Sequence, residues 1–242
     1  MANLTPNAAR RAGYALHVLT ASGAVIGMLA LQGVVDGEIR IALLWLIASQ
    51  ILDGLDGPIA RGLDVEIHAP LIDGHILDLV VDYVTCVVVP VAFMLNFEML
   101  PEKYEALIAG FIFLTSALWF ARSDLETDDH WFNGFPAVWN LAVPTFLVFD
   151  LTATEVAIFT LILGMSQLTY FKVPHIVRVD QLRGITLPFG MIYLGTLTYL
   201  SWTYSKTTGV QDNLFTDITL IAFPAYLLVF GIYKTWWSKK RV

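Results

Sequence analysis

Apolar runs of about 15 to 24 residues follow one another along the whole chain, separated by short polar connections. A helix needs about 20 apolar residues to cross the hydrocarbon core of a bilayer. The pattern therefore predicts an all-α fold: a polytopic membrane helical bundle with eight transmembrane helices, over 14–34, 40–56, 71–95, 105–121, 136–150, 154–171, 185–204 and 214–236. The fourth, fifth and sixth of these are short. Pro90, Pro144, Pro188 and Pro224 fall inside spans, where neighbouring helices can satisfy the carbonyls that a proline frees.

Composition agrees with this pattern, with 57% hydrophobic and 14% charged residues and a mean hydropathy of +0.66. Without internal repeats or a long soluble linker, residues 1–242 read as a single integral membrane domain. An even number of crossings puts both termini on one side. Eleven basic residues (Arg10, Arg11, Arg61, Arg122, Lys172, Arg178, Arg183, Lys234, Lys239, Lys240 and Arg241) then share a face, against Arg40, Lys103 and Lys206 on the other. Positive residues favour the cytoplasmic face, which predicts cytoplasmic termini, with the connection between the second and third runs on the same side. The tail from Trp236 to Arg241 reads as an interfacial aromatic anchor followed by cations. The net charge of −7 sums over two separated aqueous faces and points to no nucleic-acid partner, and the single Cys86, inside an apolar run, excludes a disulfide framework.

One stretch breaks the apolar pattern in an ordered way. Residues 53–82 place Asp53 and Asp56 three apart near the end of the second run, and Asp78 and Asp82 four apart near the start of the third. Each pair shares a helical face. The two runs are antiparallel neighbours, so the four carboxylates can converge. An acid at the bilayer centre costs about 2.5–3.5 kcal/mol on insertion scales and requires a partner. Oxygen-only ligation suits hard divalent cations, Mn²⁺ or Mg²⁺, and a two-metal site would bind phosphate oxygens in turn. Gly54, Gly57, Ala60 and Gly74 keep the surface low around the acids.

Asp53, Asp56, Gly57, Ala60, Arg61, Gly74, Asp78 and Asp82 together resemble the signature of the CDP-alcohol phosphotransferases, membrane enzymes that transfer a phosphatidyl or related group from a CDP-linked donor to an alcohol. Twelve residues separate Arg61 from Gly74, a longer spacer than in the commonest form of that family. The longer spacer, the stretch from His17 to Val25 and the segment from Pro174 to Arg178 are similar to the bacterial subgroup that joins CDP-diacylglycerol to choline, the phosphatidylcholine synthases. The resemblance implies that Asp53, Asp56, Asp78 and Asp82 hold two metal ions. It also implies that Asp82 acts as general base toward the choline hydroxyl, and that Gly57, Ala60, Arg61 and Gly74 line the CDP moiety. Arg178 and Arg183, in the basic segment from Lys172 to Arg183, are candidate phosphate ligands. A homodimer is implied by the same likeness.

The motif does not distinguish acceptors, so serine, inositol or glycerol phosphate stand as alternatives to choline. A cation transporter built on membrane-embedded acids is the reading from another class. For the choline cation, Tyr83, Trp119, Trp131, Phe132, Trp139 and Tyr170 are aromatic candidates. Asp64, Glu66 and Asp73, between the two motif helices, read as solvated loop acids.

Overall fold

The computed structural model describes residues 5–205, 207–210 and 212–238, so that Lys206 and the basic end of the tail at 239–242 lie outside the described residues. Helix α1 (Pro6–Val35) starts after Thr5 with proline in its first turn, where the missing N–H leaves no bond unmade. Helix α2 (Ile39–Gly62) continues beyond the end expected at residue 56 and contains Pro58. Asp53 and Asp56 therefore sit within regular helix, which fixes their spacing on one face. A single turn, α3 (Val65–His68), leads through a bend to α4 (Gly74–Asp82), a π-helical turn (Tyr83–Val88) and α5 (Val89–Asn96), which form one continuous rod. That rod begins at Gly74 rather than at residue 71 because Asp73 caps it: Oδ1 accepts from the backbone N–H groups of His75 and Ile76, both at 3.0 Å. The wide turn lies just ahead of Pro90, whose ring excludes a regular bond to the preceding turn.

A short 3₁₀ turn (Glu102–Tyr104) opens α6 (Glu105–Phe120). Strand β1 (Trp131–Asn133) precedes α7 (Trp139–Val148) and α8 (Ala153–Gln167), the latter opened by a reciprocal Thr152–Glu155 cap. Strand β2 (Lys172–Pro174), α9 (Arg183–Thr203) and α10 (Leu214–Ile232), the last extended by a π turn (Tyr233–Trp237), complete the chain. The all-α expectation needs one addition, since β1 and β2 pair antiparallel with Phe132 opposite Val173. Helix occupies part of each of the eight expected apolar runs, with α7 and α8 shorter than the runs at 136–150 and 154–171.

Among the described residues, four helical stretches are long and apolar enough to cross a membrane: Pro6–Val35, Gly74–Asn96, Glu102–Phe120 and Leu214–Trp237. Helices α2 and α9 have the length, at 24 and 21 residues, but a more polar composition. Helices α7 and α8, at 10 and 15 residues, fall short of the roughly 20 that a full crossing takes. The outward faces are apolar, with Val18 71% and Met191 66% exposed, as lipid contact requires and water would penalise. The protein is a multi-pass, helical membrane protein.

Helix α1 packs along α2 and against the α4–α5 rod, while α7 touches α2, α5 and α9 from the middle. The largest apolar cluster joins Leu43 and Leu46 of α2, Phe93 and Met94 of α5, Ile112 of α6 and Trp139 and Val143 of α7. A second joins Ile47 to Tyr193, Leu197 and Leu200 of α9 and Leu220 and Phe223 of α10. Gly23 sets the closeness of α1 to α4: a Cβ there would lie 2.6 Å from Val81 Cγ1. The acids of α2 and α4 thus face each other across a gap that α1 closes from the side.

Candidate active site

Asp53 of α2 and Asp78 and Asp82 of α4 each present one carboxylate oxygen to a common point, with the three oxygens all within 4.8 Å of one another. Asp56 stands outside that triad but lines the same small cavity, with Thr20 and Gly23 of α1, Ser49 of α2, Val81 of α4 and Thr85 of the π-helical turn. Three carboxylates so close repel one another in an apolar surround, and a divalent cation offsets that repulsion. All of the donors are hard oxygens, which suits Mg²⁺ or Mn²⁺ and disfavours softer ions. The cavity is small, with about 240 Å³ of space including its open mouth.

The remaining motif residues, Gly57, Ala60, Arg61 and Gly74, are not among those that line this cavity. Gly54 is open, and a Cβ added there would meet nothing within 4 Å. The exposed Arg61 folds back so that its Nη1 would stand 3.3 Å from a Cβ on Gly57. Gly74 is covered by His17 of α1, whose ring carbon would be 3.2 Å from a Cβ there. His17 itself is buried, and its Nε2 lies 3.3 Å from the Ala69 carbonyl, tying α1 to the loop that carries the long spacer. Ala60 is half-buried against Leu16, Val65 and Ala69, so it serves packing as well as surface shape.

Similarity to known proteins points the same way. No family model matches the sequence. The phosphatidylcholine synthase of Bradyrhizobium diazoefficiens is 40% identical over 227 residues, covering 93% of this chain and 84% of that one. The phosphatidylcholine synthase of Borreliella burgdorferi is 32% identical over 226 residues, covering 93% and 95%. That of Pseudomonas aeruginosa is 36% identical over 181 residues, covering 75% and 76%. The chain belongs to the phosphatidylcholine synthase family.

Beyond its aspartates, this member of the family builds a charged loop layer next to the motif. Arg178 donates from Nη1 to Glu126 Oε2 at 2.9 Å, and His130 Nδ1 meets the other oxygen of Glu126 at 2.7 Å. Arg183 opens α9, and Arg178, Arg183 and Glu126 each lie within electrostatic reach of Arg61. Both candidate phosphate ligands are thus brought toward Arg61. Burial pushes the His175 imidazole down to about 4; the positive charges of Arg178, His130 and Arg61 push the same way, and Glu126 opposes them. His175 is neutral at physiological pH and stacks on Phe132, with centroids 5.1 Å apart.

The aromatic candidates for choline divide. Trp119, Trp131 and Trp139 are buried in the core, with the Trp119 indole donating to the Asn133 carbonyl at 2.8 Å and that of Trp139 to Ser116 Oγ at 3.0 Å. Tyr170 is 70% exposed beside the Arg122 guanidinium, and the Tyr83 hydroxyl donates to the Phe113 carbonyl at 3.2 Å. Three of the six are therefore structural. Arg122 also has a structural task, because its Nη1 donates to the carbonyls of Gln167 and Thr169 at the end of α8, at 3.0 and 2.9 Å.

Sequence reasoning missed Thr20, Ser49, Gln50 and Glu126. Thr20 and Ser49 carried no signal beyond being polar within apolar runs. Gln50 had one: it precedes Asp53 by one helical turn, and its Nε2 donates to Asp53 Oδ2 at 3.0 Å.

Proposed function

We propose that the protein transfers the phosphatidyl group of CDP-diacylglycerol to choline, releasing CMP, with Mn²⁺ or Mg²⁺ held by Asp53, Asp56, Asp78 and Asp82. The observation that carries this reading is the approach of the Asp53, Asp78 and Asp82 oxygens within 4.8 Å at a cavity shared with Asp56. Family membership supplies the donor and the acceptor, since the relatives are phosphatidylcholine synthases.

When bound, a pair of such ions polarises the phosphoryl group and offsets charge on the departing phosphate. Asp82 takes the proton of the choline hydroxyl at a carboxylate oxygen, and the choline oxygen bonds to the lipid-linked phosphorus as the bond to CMP breaks. Arg61, Arg178 and Arg183 hold the diphosphate, the first from α2 and the other two from the loop layer and the start of α9. Gly57 lets the nucleotide approach the α2 surface, with Ala60 at the margin, whereas the space over Gly74 is filled by His17 and serves the packing of α1. Positioning and charge neutralisation supply most of the rate in this type of transfer.

The same proposal places the chain in the bacterial inner membrane as one domain with eight apolar helices, both termini and the acidic cavity toward the cytoplasm, and pairs it as a homodimer. The nearness of Arg178 and Arg183 to Arg61 supports that orientation, as does the placement of Arg40 beside Trp202 in a separate group.

The test is a detergent-purified sample given CDP-diacylglycerol and Mn²⁺ with labelled choline, serine, inositol or glycerol phosphate in separate reactions. Labelled lipid and CMP are expected with choline and not with the others, and chelation of the metal should stop both. Product with another alcohol alone would reassign the acceptor, and metal flux across vesicles without CMP release would replace the enzyme with a transporter.

A further inference from the structure

Asp53 receives a hydrogen bond from a relay that reaches it from a distant part of the chain. Gln50 Nε2 donates to Asp53 Oδ2 at 3.0 Å, and Asn140 Nδ2 of α7 donates to Gln50 Oε1 at 3.2 Å. Chemistry fixes both amide orientations: an ionised carboxylate only accepts, so Gln50 must turn its NH₂ to Asp53 and its carbonyl to Asn140, which must then donate. Asn140 is fully buried, and among the described residues its own Oδ1 has no partner. A buried polar atom without a partner costs about 1–3 kcal/mol, so Asn140 gives up stability at Oδ1 while Nδ2 serves Gln50. Its retention calls for another reason.

The start of α7 is held firmly. Ala137, in the left-handed region at φ 54°, turns the chain into the helix. Next to Asn140, the Trp139 indole donates to Ser116 Oγ of α6, and Gln167 Nε2 of α8 donates to the same hydroxyl at 3.2 Å. Asn140 thus projects from a fixed point made by three helices.

We infer that Asn140, acting through Gln50, is a positioning residue that holds the Asp53 carboxylate in the orientation in which it ligates a divalent cation. The inference rests on the proposed metal site and extends it beyond the motif to α7. Outer partners of metal-binding side chains fix ligand orientation, and their loss typically weakens metal affinity by about 10–100-fold.

The experiment measures Mn²⁺ binding to purified protein without substrates, by the electron paramagnetic resonance signal of free Mn²⁺, alongside thermal unfolding without metal. Gln50→Leu and Asn140→Leu should each raise the Mn²⁺ dissociation constant about tenfold. The double variant should bind no worse than Gln50→Leu alone, because Asn140 has no route to Asp53 except through Gln50. Metal-free unfolding of the double variant, which replaces both partners of the Asn140–Gln50 bond with apolar groups, should occur near the temperature of the parent, separating positioning from a structural role. If Asn140→Leu does not fold, Asn140→Ala takes its place. Folded variants with parental Mn²⁺ affinity, or additive losses in the double variant, would overturn the inference and leave the metal site standing. A parent chain that binds no divalent cation would overturn both.

Discussion

At the scale of the residue, the proposed chemistry falls to four aspartates, whose surroundings differ. Asp53 is held by Gln50 on the α2 side, whereas Asp78 and Asp82 project from successive turns of α4, with Asp82 directly before the π-helical turn. Wide turns of this kind often occur at functional sites, where they redirect the side chains beside them. Asp82→Asn keeps the shape and removes the proton acceptor. Transfer to choline should fall by about 10²–10⁴-fold, while the variant stays folded and inserted, as checked by initial rate and thermal unfolding of the purified protein. The loop acids were legible only as polar positions. Asp73 turned out to be the cap of α4, a role that an aspartate before a helical run permits but that only its bonds to His75 and Ile76 establish.

At the scale of the element, the sequence located helices well and their ends poorly. Apolar periodicity covered every long helix, but α2 runs six residues beyond the expected end at residue 56, to Gly62, because Pro58 is accommodated within it rather than ending it. Hydropathy alone ends a helix where charges begin, and here the charges are part of the helix. The crossing of α1 and α4 depends on Gly23, where a Cβ would stand 2.6 Å from the Val81 side chain. Val81 is adjacent to Asp82 and buried, so pressure there moves the acids. Gly23→Leu should destabilise the protein by about 1–3 kcal/mol through overpacking and lower its activity more than its amount, measured by unfolding and by rate per folded molecule. A glycine in an apolar run gave no sign of which neighbour it would meet.

At the scale of the whole molecule, the charge distribution predicts an orientation that can be checked. A reporter enzyme joined after Ser238 should be active in the cytoplasm, and one inserted beside Lys103 should be active on the opposite side of the membrane; the reverse pattern would invert the bundle. The helical membrane class was determined by the sequence alone, because a bilayer forces backbone polar groups to pair within each segment and apolar length can then be counted directly. The acids' spacing and the signature around them were likewise determined by the sequence, since helical periodicity places residues three and four apart on one face whatever surrounds them. Which carboxylates meet was decided only by the tertiary structure, in which Asp53 joins Asp78 and Asp82 while Asp56 lines the wall beside them. So was the reach of Asn140 to Gln50, and of Arg178 to Glu126, across 90 and 52 residues of chain. Periodicity acts within one helix, whereas these meetings depend on the crossing of helices, and that is set by side-chain volume at points such as Gly23.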